Sequence, residues 1–185
     1  MATLFLMIGL PGAGKTTRAR ELSARHGALR LTPDEWMIPL FGEPEAGGKR
    51  DLVEGLLIGV ALDALRLGTS AVLDFGFWAA DERSALRWLA ARAGADCRLE
   101  YVAVDTGTQL ARIARRQAAV PHATYPMSAA EVAQWREQFQ VPGETELTAP
   151  GAIPRPPAGW AGWAQWAEGP WPSLPAGSAP AKPAG

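Results

Sequence analysis

The stretch Leu4-Phe5-Leu6-Met7-Ile8-Gly9-Leu10-Pro11-Gly12-Ala13-Gly14-Lys15-Thr16 is an apolar run, then a glycine-rich turn closing on a lysine and a threonine. Five consecutive apolar residues fit a strand buried on both faces, and the residues after the turn fit a helix. A strand feeding such a turn aims unpaired backbone N–H groups and the positive end of a helix at phosphate. Lys15 adds a mobile cation and Thr16 a hydroxyl suited to Mg²⁺. On this basis Gly9, Pro11, Gly12, Ala13, Gly14, Lys15, Thr16 and Thr17 are expected to hold a nucleoside triphosphate, ATP or GTP. The motif does not identify what receives the phosphate.

The rest of the chain is consistent with one α/β domain. At 185 residues it is long enough for one substantial core and short for two enzyme domains. The pattern predicts strands over residues 3–8, 28–31, 71–74 and 99–104. Helices are expected from Lys15 to about His26, from Gly47-Gly48 to Leu67 and from Asp81 to Ala93. In the long helix, Leu52, Val53, Leu56, Leu57, Val60, Ala61 and Leu65 recur at three-to-four residue spacing and are expected to form a buried stripe. Thr106 with Gln109, and Ser128 with Glu131, have the spacing of capping boxes. An α/β fold with helices covering a mainly parallel sheet follows from this alternation, and the expected architecture is a sheet ordered approximately 2-3-1-4 with a small helical lid.

Texture changes near residue 150, dividing the chain into a domain over 1–150 and a Pro/Gly/Ala/Trp-rich tail over 151–185. Half of the sixteen prolines lie from Pro154 onward, and Trp160, Trp163, Trp166 and Trp171 are half of the eight tryptophans. Three fates are open to the tail: docking on the domain through one side of a short helix, remaining mobile, or binding a partner protein. No fifth strand is visible.

A net charge of −1 provides no broad basic footprint for a long nucleic acid. Cys97, the single cysteine, excludes an internal disulfide and a cysteine-based metal cluster and is expected at the core boundary. The N-terminal apolar run is too short to span a membrane and lacks a basic signal region, which leads to the expectation of a cytoplasmic protein. His26 and His122 form no metal pair.

Candidate chemistry gathers where strands end. Asp34, just after the second strand, either accepts the proton of an acceptor hydroxyl or caps the following helix. Asp74, closing the third strand, either shares a Mg²⁺ with Thr16 and contacts substrate or serves as a local cap. Arg112, Arg115 and Arg116 have the spacing of one helix face, either solvated or closing over phosphates, with Arg112 and Arg116 favoured as catalytic groups beside Lys15. Arg83 either contacts substrate or lies on an exposed helix face. Phe75, Phe77, Trp78 and Trp36 form either an apolar wall beside the acceptor or part of the core, and Phe139 and Pro142 lie either near an adenine or in lid packing.

These segments resemble the small P-loop kinases that include zeta-toxin-like, chloramphenicol-phosphotransferase-like and polynucleotide-kinase-like proteins. The similarity is carried by residues 9–16, Leu31-Thr32-Pro33-Asp34-Glu35-Trp36, Val72-Leu73-Asp74-Phe75-Gly76-Phe77-Trp78 and the Arg112–Arg116 segment. The resemblance implies a P-loop NTPase fold using ATP and Mg²⁺, with Asp34 as the base and Arg112 or Arg116 in the lid. Polynucleotide kinases commonly carry an arginine where this chain has Met37. That departure favours a small hydroxylated molecule over an oligonucleotide end as acceptor. A nucleotide-gated interaction protein without kinase activity is the remaining alternative.

Overall fold

A computed structural model describes residues 1–43, 46–119, 127–148 and 152–175. Strands β1 (Thr3–Ile8), β2 (Leu29–Leu31), β3 (Ala71–Gly76) and β4 (Asp96–Tyr101) form one sheet in the order β2-β3-β1-β4. All pairings are parallel, as the 2-3-1-4 expectation required. The central strand β1 is the most apolar segment because both of its faces are covered; Leu4, Leu6, Met7 and Ile8 are wholly buried. Parallel strands place their carboxyl ends on one sheet edge; the glycine turn and Asp34 follow strands at that edge, and Asp74 lies in the carboxyl half of β3, which runs on to Gly76 rather than ending at residue 74 as expected.

The helices are α1 (Lys15–His26), α2 (Asp34–Phe41), α3 (Lys49–Arg66), α4 (Ala80–Arg92), α5 (Thr106–Ala119), α6 (Ala129–Gln138), α7 (Glu144–Thr148) and α8 (Trp163–Ala167). This is an α/β fold with a parallel sheet core, of the P-loop NTPase-like kinase type. Among the described residues no helix is long and apolar enough to cross a membrane.

Three expectations need correction. Strand β4 begins at Asp96, three residues earlier than its apolar run, because Asp96 and Cys97 pair with Thr3 and Leu4 at the start of β1. Helix α3 is not buried along the whole expected stripe. Val53, Leu57, Ala61 and Leu65 face the core, whereas Leu52, Leu56 and Val60 are about half exposed. Two four-residue repeats run side by side in α3, and periodicity alone does not say which one meets the sheet. At α5 the cap is Asp105, whose Oδ1 accepts from the Thr108 N–H at 2.9 Å. Gln109 is thereby released from capping and lies completely buried elsewhere. The Ser128–Glu131 capping box on α6 forms as expected.

Of the three fates open to the tail, its described part shows docking. Helix α8 packs on α4, and Trp163 and Trp171 are almost fully buried while Trp160 stays exposed. Trp166 meets both Trp163 and Trp171 edge-on, at centroid distances of 5.5 and 6.1 Å. Burial of two indoles contributes roughly 2–3 kcal/mol each before ordering costs, and prolines lower the entropy the segment loses on docking. Cys97 sits at the core boundary, where burial pushes its thiol up to about 12. His26 tilts against the ring of Phe5 at the end of α1. His122 lies outside the described residues.

Candidate active site

Between β1 and α1 the chain turns through three glycines of positive φ: Gly9, Gly12 and Gly14. Two of them are sterically required. A Cβ on Gly9 would stand 2.7 Å from the Val102 carbonyl oxygen, and one on Gly12 would stand 3.1 Å from Ile113 Cγ1. Gly9 therefore builds the rear of the turn, where its N–H donates to the Gly76 carbonyl at 3.1 Å, and it does not line the cavity in front as expected. Pro11, Gly12, Ala13, Gly14, Lys15, Thr16 and Thr17 do line that cavity, whose volume is about 1360 Å³. Gly14 caps α1 without a side-chain bond, leaving the first N–H groups of the helix available to an anion.

The Lys15 ammonium donates to the Leu10 carbonyl at 3.0 Å. Burial lowers its pKa to about 8, against the opposing pull of Asp74 and then Asp34. Asp74 is buried at the end of β3. It accepts from Arg30 Nη1 at 3.0 Å and is hydrogen-bonded by the Thr16 side chain. Burial raises its pKa, while the Thr16 bond, Lys15 and Arg30 counter the shift. Asp34 opens α2 without capping it, and its half-exposed carboxylate pairs with Arg50 Nη2 at 2.9 Å. Lys15, Thr16, Asp74 and Asp34 thus share one cavity, with Lys15 within electrostatic range of both acids.

Arg112, Arg115 and Arg116 line the same cavity from α5. Arg112 Nη1 donates to the Ala13 carbonyl at 2.8 Å, and the charge of Arg116 is felt at Lys15. The buried Gln109 joins this helix to the turn. Its Nε2 donates to the Pro11 carbonyl at 2.9 Å, and its Oε1 accepts from Arg136 Nε of α6 at 2.8 Å.

Arg83 is neither a substrate contact nor an exposed residue. It is 1% exposed, forks onto Glu146 at 2.6 and 3.0 Å, and donates to the Phe77 and Trp78 carbonyls. Phe77 has φ 35°, a left-handed conformation that costs a bulky residue about 1–2 kcal/mol, so Arg83 acts as the clasp of a strained turn. That turn places Phe75, Phe77 and Trp78 on the cavity wall, with Trp135 6.1 Å from Trp78. Trp36 points away, about half exposed. Phe139 is buried against Tyr101 at 6.0 Å, in ordinary packing.

Arg30, Arg50, Glu54 and Arg136 were not singled out in the sequence, and Gln109 was expected there only as a cap. Arg30 and Arg50 join acids from different elements, a relation invisible along the chain. Glu35, next to Asp34, also lines the cavity and pairs with Arg30.

The donor set fits a magnesium-bound triphosphate. Thr16 and Asp74 offer hard oxygen donors, but among the described residues no cluster of three or more His, Cys, Asp or Glu could hold a metal ion. An ion here would need phosphate oxygens to complete its shell.

Comparisons with known proteins agree with this geometry at the level of fold. A provisionally assigned kinase from Chloroflexus aurantiacus j-10-fl superposes with a TM-score of 0.62 at 19% identity, covering 86% of this chain and 84% of its own. A chain of the Pnkp1/Rnl/Hen1 RNA repair complex also reaches 0.62, at 13% identity, over 74% of this chain and 43% of its own. No curated protein sequence matches significantly. The family model described as AAA domain matches residues 4–142, most of the sequence, and the chain belongs to that family.

Proposed function

We propose that the protein is an ATP-dependent phosphotransferase that moves the γ-phosphoryl group to a hydroxyl of a small molecule. The observation that carries this reading is that Lys15 shares one cavity with two acids that both act on its charge, Asp74 with its Thr16 bond and Asp34. The turn N–H groups and Lys15 bind the triphosphate, and the α5 arginines neutralise charge on the phosphoryl group during transfer. Thr16 and Asp74 would hold Mg²⁺, which screens the phosphates when bound. Asp34 accepts the acceptor's hydroxyl proton. The acceptor oxygen then bonds to the γ-phosphorus as the bond to the β,γ-bridging oxygen breaks and ADP departs. Phe75, Phe77 and Trp78 offer an apolar wall to the acceptor and help exclude water.

Met37 is wholly buried, so its position has no access to a phosphate, which speaks against a polynucleotide end as acceptor. The test is a mass-resolved incubation with ATP and Mg²⁺ of two acceptor pools, small hydroxylated metabolites or antibiotics and hydroxyl-ended oligonucleotides. A gain of one phosphoryl group confined to a small molecule is expected. Labelled oligonucleotide ends would reverse the choice of acceptor, and bound ATP with no product from either pool would favour a nucleotide-gated interaction protein.

A further inference from the structure

We propose that the C-terminal segment buttresses the acceptor side of the cavity from behind α3, with Trp171 and Glu54 acting as positioning residues that hold Arg50 against Asp34. This rests on the reading of Asp34 as the base. The chain of contacts runs through three elements. Arg50, on α3, donates through Nη2 to Asp34 at 2.9 Å and through Nε to Glu54 at 3.1 Å. Glu54, one turn further along α3, lines the cavity and is hydrogen-bonded by the Trp171 side chain. Trp171 is 1% exposed.

The segment after Trp171 is locked to the same helix. Ser173 Oγ donates to the Leu52 carbonyl, and Leu174 N–H donates to the Trp171 carbonyl at 3.0 Å. A Cβ on Gly55 would strike Ser173 Oγ, and one on Gly59 would stand 2.9 Å from Pro175 Cδ. Two glycines one turn apart thus make the groove the segment fills. A long, flexible arginine side chain keeps one fork geometry only when a second nitrogen is anchored; Glu54 supplies that anchor at Nε and Trp171 fixes Glu54.

Glu54 is faced by Arg50 and Asp51 of its own helix, by Glu82 of α4 and by Trp171. Burial first, then the two acids, raise its pKa to about 7, while Arg50 and the Trp171 bond pull it down. An indole N–H bonded to a carboxylate responds to that carboxylate's charge, so the Trp171 indole resonance reports the state of Glu54 without nucleotide or acceptor.

The experiment follows that ¹⁵N–¹H resonance in the full chain between pH 5 and 9. A shift with its midpoint near 7 is expected, abolished in Glu54→Gln, which keeps the shape and removes the charge. Asp34→Asn should move the midpoint to lower pH, because Glu54 then no longer shares Arg50 with the Asp34 carboxylate. In an Arg50→Met background the same substitution should leave the midpoint where it was. An indole resonance that does not titrate, or a midpoint indifferent to Asp34→Asn with Arg50 present, would overturn the proposal. Phosphoryl transfer surviving Asp34→Asn, with the titration behaving as described, would remove Asp34 as base yet leave this chain of contacts standing.

Discussion

Lys15 carries its positive charge where burial resists one, and its pKa near 8 makes the free protein's affinity for triphosphate depend on pH. The protonated amine is the binding form, and a bound polyphosphate holds the proton on. Below pH 8 the ammonium is already present and affinity is flat. Above it, binding must take up a proton, and the dissociation constant should rise up to about tenfold per pH unit until the pKa of the complex is reached. Calorimetry in buffers of different ionisation enthalpy checks this through the proton uptake at pH 9, which Lys15→Met should abolish. Lys15, Thr16 and the acids at positions 34 and 74 were legible in the sequence because each lies at or just beyond the carboxyl end of an apolar strand run. Arg30 and Arg50 were not, because a salt bridge between elements leaves no spacing rule in the chain.

The strained turn after β3 depends on an ion pair between distant helices. Arg83 of α4 and Glu146 of α7 are brought together only by folding, and together they fix the Phe77 and Trp78 carbonyls. Arg83→Leu leaves those carbonyls and Glu146 without their donor, and a loss of about 3–5 kcal/mol in denaturant unfolding is expected. A loss under about 0.5 kcal/mol would assign the turn's geometry to something else. Among the elements, the parallel α/β class followed from alternating strands and helices, and the resemblance to small P-loop kinases pointed to the strand order. The start of β4 did not, because its first residues are polar and owe their place to the register with β1. Helix α3 misled for the opposite reason, since its apolar residues cover more than the face that the core can take.

For the whole molecule, the described tail is part of the packed body. Ending the chain at residue 148 uncovers the α4 surface and the Gly55–Gly59 groove. It should lower Tm by roughly 5–10 °C and raise binding of a hydrophobic dye. An unchanged Tm would mean the tail adds no net stability. The sequence left the tail's fate open because proline and glycine argue against order while tryptophan argues for burial, and only the receiving surface decides. The enzyme reading is tested most directly by comparing wild type and Asp34→Asn with the same hydroxylated acceptor and the same ATP concentration. The account predicts ATP affinity within about twofold and phosphoryl transfer reduced by about 10²–10⁴-fold. Transfer at the wild-type rate by Asp34→Asn would contradict it.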